Sequence, residues 1–235
     1  MALANKTCMN RQRFASLLIV LATLVTTGGT SSVAQDTRPK SEAEIRALVV
    51  KTRSRDLKTS DEARGALSKL DTKSLPALTS ILKKGKPCER VAVAQWFIEF
   101  DRHNKDLVPA MTDVATGGSL RSLFNLQEEM MCRRGAAFVL AFSPEGIRVL
   151  TRLLQEGDLF ERQSAIFAFD NLTETSNYPE DSLPVMKEAI PAIAKATREK
   201  DQTISCMSDE VLGQIARGAN QELSKLAKQY LAGNR

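Results

Sequence analysis

The sequence predicts an all-α fold, a solenoid of helix pairs stacked one on the next. Three observations predict it. An eleven-residue helical motif recurs four times without a gap. A second helical motif alternates with it. No stretch shows the period-two alternation of a half-buried strand.

The first 40 residues stand apart from this pattern. Lys6, Arg11 and Arg13 make a basic start with no acidic residue, and an apolar run, FASLLIVLATLV, follows at 14–25. After it come small residues ending in Ser32-Val33-Ala34. Basic, apolar, then small-x-small is the order of a secretory signal, with cleavage expected after Ala34. The apolar run of 12 residues is short of the ~20 that a spanning helix needs. Cys8 lies before the run, not at the cleavage point as a lipid anchor requires. The expected division is therefore a cleavable signal at 1–34, a disordered tail at 35–40 and a repeat domain at 41–235. The expected location is the periplasm or outside the cell, with no stable membrane insertion after cleavage.

Removing the signal changes the charge. The whole chain has 33 basic and 28 acidic residues, and the mature part has 30 against 28. A domain this close to neutral lacks the basic excess of a nucleic-acid binder.

The repeat domain opens at Ser41, which with Glu44 has the spacing of a capping box. Helix A of the repeat is LPALTSILKKG at 75–85, VPAMTDVATGG at 108–118, IRVLTRLLQEG at 147–157 and IPAIAKATREK at 190–200. Position one is Leu75, Val108, Ile147 and Ile190. Position four is Leu78, Met111, Leu150 and Ile193. Position seven is Ile81, Val114, Leu153 and Ala196. Position eight is Leu82, Ala115 and Leu154, weakening at Thr197. These positions form one stripe on a helix. Pro76, Pro109 and Pro191 fill position two, and Gly85, Gly118 and Gly157 stand just past the end.

Helix B is EARGAL at 62–67, CERVAVAQWF at 88–97, CRRGAAFVLA at 132–141 and FERQSAIFAF at 160–169. Arg64, Arg90, Arg134 and Arg162 form an arginine column followed closely by alanine. Apolar residues on most sides mark these as the inner helices, and the alanines permit close approach. Ser143-Pro144-Glu145 signs the start of one helix A, and Asn220 that of a last helix with the stripe Leu223, Leu226, Ala227, Tyr230 and Leu231. If Pro184 opens the helix of the fourth copy, Pro191 falls inside it and should kink it. Two linkers are long, 119–131 and 173–181. The first carries Leu120, Leu123, Phe124 and Leu126, enough either to extend a helix over the core or to meet a partner.

The two motifs together resemble HEAT-like repeats of the short bacterial lyase type, over about residues 60 to 217. The pattern shared is an arginine followed by alanines on helix B, then x-P-A-L-x-x-L-L-x-x-G on helix A. The region 45–64 follows it loosely, and the fourth helix B, 206–216, lacks the arginine. The resemblance implies a right-handed αα-superhelix with polar end repeats. It implies a protein-interaction scaffold that binds an unidentified protein partner and is not an enzyme. Some relatives are bilin lyases, so a bilin-lyase-like or chromophore-binding protein is the alternative. It also implies that the arginine column is structural, pairing with an acid or helix end in the adjacent repeat.

No catalytic, cofactor-binding or metal-ligating residue is assigned. KKGKP at 83–87 lacks the glycine pattern and preceding strand of a phosphate loop, and its lysines suit the negative end of a helix. The one histidine, His103, has neither a second histidine nor a cysteine pair at ligand spacing. Glu128-Glu129 and Glu180-Asp181 read as solvated charge. The sequon Asn171-Leu172-Thr173 falls on a helix stripe and reads as chance.

Cys88, Cys132 and Cys206 remain after signal cleavage. An odd number leaves at least one thiol unpaired or paired with another chain. Cys88 and Cys132 share a repeat position, which suggests a buried apolar slot. Equivalent positions on neighbouring helices lie about 8–10 Å apart, beyond the ~7 Å that a disulfide spans. Export and the inserted 119–131 segment favour a bridge. The residues leave both open.

Overall fold

The computed structural model describes residues 40–118 other than 53 and 55, then 126–174 and 179–233. The expected signal, nearly all of the expected tail, and residues 119–125 and 175–178 lie outside the described residues.

Eleven α-helices make up this body, among the described residues, with no strand. They are α1 Glu42–Lys51, α2 Leu57–Ser68, α3 Leu75–Lys84, α4 Pro87–Phe100, α5 Leu107–Ala115, α6 Leu126–Leu140, α7 Pro144–Glu156, α8 Leu159–Glu174, α9 Leu183–Ala196, α10 Gln202–Arg217 and α11 Gln221–Gly233. Helices α3, α5, α7, α9 and α11 pack side by side as one layer, with α1 at its edge. Helices α4, α6, α8 and α10 form the second layer, and each touches its neighbours in both layers. This is the stack of HEAT-like helix pairs that the repeat predicts. Each layer buries the apolar face that a single pair leaves open.

The four-copy stripe faces the interlayer core. Leu78, Ile81, Leu82, Met111, Val114, Ala115, Leu150, Leu153, Leu154, Ile190, Ile193 and Ala196 are all buried. Phe97 and Phe169 from the second layer are fully enclosed. Truncation of either to alanine should cost about 3–5 kcal/mol. Helix α2 is the weak member: it packs on α1, and its only buried residues are Ser60 and Ala63. That accounts for the loose match of 45–64.

The helix starts follow their signs. Ser41 and Glu44 form the capping box, Ser143 accepts from the Gly146 N–H at 3.1 Å, and Asn220 from the Leu223 N–H at 3.0 Å. Asp158 and Glu161 make a reciprocal pair at the start of α8, each bond 2.8 Å. In the fourth copy α9 starts at Leu183, with Pro184 in its first turn, and it continues through Pro191. Pro191 faces solvent, where water can serve the Lys187 carbonyl that its ring leaves without a donor.

One device has no sequence motif behind it. Ser60, Ser205 and Ser224 each donate a hydroxyl to the carbonyl eight residues earlier, Thr52, Thr197 and Ala216, at 2.7, 2.6 and 2.6 Å. The first turn of one helix thereby satisfies an orphan carbonyl at the end of the one before.

Two of the closing glycines act through their size and not through a left-handed φ. Gly85 and Gly157 have φ of −69° and −70°, an extended conformation open to any residue. Their smallness matters because a Cβ would lie 2.5 Å from the carbonyl oxygens of Ile81 and Leu153. Among the described glycines only Gly117, at φ 72°, uses the left-handed region.

Candidate functional site

The arginine column splits when placed in three dimensions. Arg90 is buried and pairs with Asp113 at 2.7 Å and with the Ala110 carbonyl at 2.6 Å, both on α5. Arg162 pairs with Glu199, just past α9, at 2.9 Å. Each therefore reaches from the second layer to the C-terminal part of the next first-layer helix. Helix-end carbonyls there add to the attraction of the acid. Arg64 is exposed, with only Asp61 of its own helix at 3.8 Å, so it does not share this role.

The third copy differs. There the buried, paired residue is Arg133, one position before Arg134. Arg133 contacts Glu129 at 2.8 Å and Asp158 at 3.7 Å. Its guanidinium occupies the space that a side chain at Gly117 would need. The physical reason is the start of α6. Helices α4 and α8 begin at Pro87 and Leu159, close to their arginines. Helix α6 begins at Leu126 and reaches Cys132 only in its second turn. Residues 126–131 of the expected linker are thus an extension of α6, and they place Glu129 one turn before Arg133. Glu129 is accordingly an ion-pair partner and not solvated charge. Glu89 and Glu161 accept the backbone N–H of Lys86 and of Asp158. Glu89 also pairs with Arg46 of α1.

Arg134 is left over. It is half-buried, and its guanidinium carbon lies 5.3 Å from the Phe167 ring centre of α8. Burial alone holds its pKa below the ordinary arginine value, and no carboxylate lies within ion-pair distance. Around it the second layer presents its free side. Helix α6 has α5 and α7 behind it and α4 and α8 beside it. The side left open carries Met131, Arg134 and Phe138, at helical spacing. The corresponding side of α8 carries Gln163, Phe167 and Asn171. Phe138 packs edge-on to Phe142 at 5.0 Å. The first layer's outer side is unlike this. On α7 and α9 it exposes Arg148, Arg152, Glu156, Lys187, Glu188 and Lys195.

The cysteines are closer than layer spacing alone suggests. Cys88 and Cys132 form a disulfide, with Cα atoms 5.2 Å apart. The cause is one turn along each helix. At Gly135 a Cβ would come within 2.7 Å of Val91 Cγ1. The absent side chain leaves room for α4 and α6 to come close at this point.

The remaining candidates have plain structural settings. Lys83, in the last turn of α3, pairs with Asp106 at 2.9 Å, so KKGKP serves a helix end. His103 is exposed and accepts from Arg102 at 3.2 Å. Asp181 lies 3.7 Å from Arg102. Leu172 and Thr173 of the sequon are buried, and Asn171 donates to the Phe167 carbonyl. Among the described residues no cluster of three or more potential metal ligands occurs. Among them, too, no helix is long and apolar enough to cross a membrane.

No family model matches the chain, and neither does any curated protein. Among solved structures it is similar to an engineered protein from a structural genomics programme. The two are 17% identical over 80% of this chain and 95% of that one, with a TM-score of 0.36. It is also similar to a designed armadillo repeat protein, 16% identical over 80% of this chain and 98% of that one, with a TM-score of 0.30. The chain's own helix packing shows the stack.

Proposed function

We propose that this protein is an exported, non-catalytic scaffold that binds another protein through the open side of its second helix layer. The contrast between the two outer sides carries the reading. The first layer's outer side is charged, as a solvated surface is. The second layer's open side gathers Phe138, Phe142, Phe167 and Met131 around one guanidinium. Aromatics, methionine and arginine are the residue types that dominate protein interfaces.

Export is supported by the order of charge and apolarity in residues 1–34. The Cys88–Cys132 disulfide supports it independently, because such bonds persist in oxidising compartments. A mature chain near neutrality fits a protein partner better than a nucleic acid.

The test begins with the protein from its native cells. N-terminal sequencing should find Gln35 as the first residue, in the periplasmic or external fraction. Recovery from the cytoplasm with residues 1–34 attached would refute export. Affinity capture by the mature domain should then retrieve a reproducible protein, lost when Phe138 and Phe167 are both replaced by serine. Capture unaffected by that double change would refute the assignment of the face.

A further inference from the structure

We infer that Arg134 is a recognition site for a single carboxylate on an acidic, apolar-flanked peptide segment of the partner. This rests on the scaffold reading and narrows it to a chemistry.

The repeat itself shows that Arg134 is surplus to packing. One arginine per copy ties the second layer to the turn of the first: Arg90 to Asp113 and Arg162 to Glu199. In the third copy Arg133 performs that role, to Asp158 and Glu129. Among the described residues Arg134 has no ion-pair partner, and its guanidinium lies over the ring of Phe167. A half-buried guanidinium has lost part of its hydration, and a ring face replaces only some of it. A guanidinium without an acid partner keeps the planar donor fork that a carboxylate binds in bidentate fashion.

The surroundings choose the anion. No second cation stands on the open sides of α6 or α8 beside it; the half-buried and exposed residues there are Met131, Phe138, Gln163, Phe167 and Asn171. A phosphate dianion would meet only one positive charge there. A monoanionic carboxylate is matched by one guanidinium. The rings of Phe138 and Phe167 and the Met131 thioether offer apolar contact on either side. The occupant is therefore a glutamate or aspartate side chain with leucine-like neighbours.

The probe is a fluorescein-labelled synthetic peptide of alternating leucine and glutamate. Its control replaces every glutamate with glutamine. Fluorescence anisotropy with the mature, oxidised protein should show the glutamate peptide binding about tenfold more tightly, as one charge-assisted contact supplies. Arg134→Gln should abolish the preference while leaving the helical circular dichroism and thermal midpoint unchanged. Arg134→Lys, with a charge but no fork, should recover part of it. Equal binding of the two peptides to the native protein would overturn the proposal. So would an Arg134→Gln protein that keeps the preference. The Phe138/Phe167 double variant separates the two readings. If it loses the captured partner while Arg134→Gln retains it, the scaffold stands and the carboxylate site falls.

Discussion

Removing the Cys88–Cys132 bridge should lower the stability of the folded domain by about 4 kcal/mol. The bond closes a loop with a sequence separation of 44 residues. In the chain-entropy model such a loop costs the cross-linked unfolded state roughly 13 cal/mol/K, or about 4 kcal/mol at 25 °C. The folded state should lose little, because Val91 and Gly135 hold α4 and α6 together one turn further on. Alanine is the right replacement at both positions. Cys132 is 2% exposed, so serine would add the separate cost of a buried hydroxyl. The assay is urea unfolding of the native and doubly substituted proteins, followed by circular dichroism at 222 nm. For a domain of this size the same change corresponds to a fall of about 8–16 °C in thermal midpoint. Equal midpoints would refute the reasoning, and so would a native protein whose midpoint is indifferent to a reducing agent. The first result would mean that the unfolded chain gains nothing from the cross-link. The second would mean that the bond is absent.

Other consequences follow from single residues. Gly117→Ala should destabilise by roughly 2–3 kcal/mol, since φ is 72° and the new methyl would displace the Arg133 guanidinium. Gly65→Ala should do the opposite, gaining up to about 1 kcal/mol, because nothing lies within 4 Å of its Cβ and it stands inside α2. Denaturant midpoints of the pair test the sign of each. Arg90→Met should cost about 1–3 kcal/mol by leaving the Ala110 carbonyl without its buried donor and removing the ion pair to half-exposed Asp113. Arg64→Met should fall within about 0.5 kcal/mol of the native protein, as its only ion pair is exposed. A comparable loss from both would mean that the arginines act as one column after all.

The sequence reads out the architecture well and the site poorly, for a physical reason. Core positions in a stack are dictated by one helix's own period. Leu78, Ile81 and Leu82 could therefore be placed inside from their spacing and from their counterparts Met111, Val114 and Ala115. Arginine roles depend on which side of a helix a residue occupies relative to two neighbours. A shift of one residue turns a side chain by about 100°. Aligning Arg134 with Arg90 ignored the six residues that lengthen α6 at its start. The i, i+4 pair Glu129 and Arg133 was the signal that could have exposed the error. The disulfide carried a comparable hint. Gly135 stands where Val91 stands in the previous copy, and a glycine facing a valine marks a close helix approach. The serine hydroxyls of 60, 205 and 224 had no such marker, because a bond spanning eight residues around a turn depends on the turn's conformation.

The face assignment can be tested in the cell where the protein acts. A photo-crosslinking amino acid placed at Phe138 or Phe167 should yield a discrete adduct with one partner protein on irradiation. The same group at Arg152 or Glu188, on the charged outer side of the first layer, should yield none. Adducts from the first-layer positions alone, or from none of the four, would contradict a scaffold that binds through its second layer.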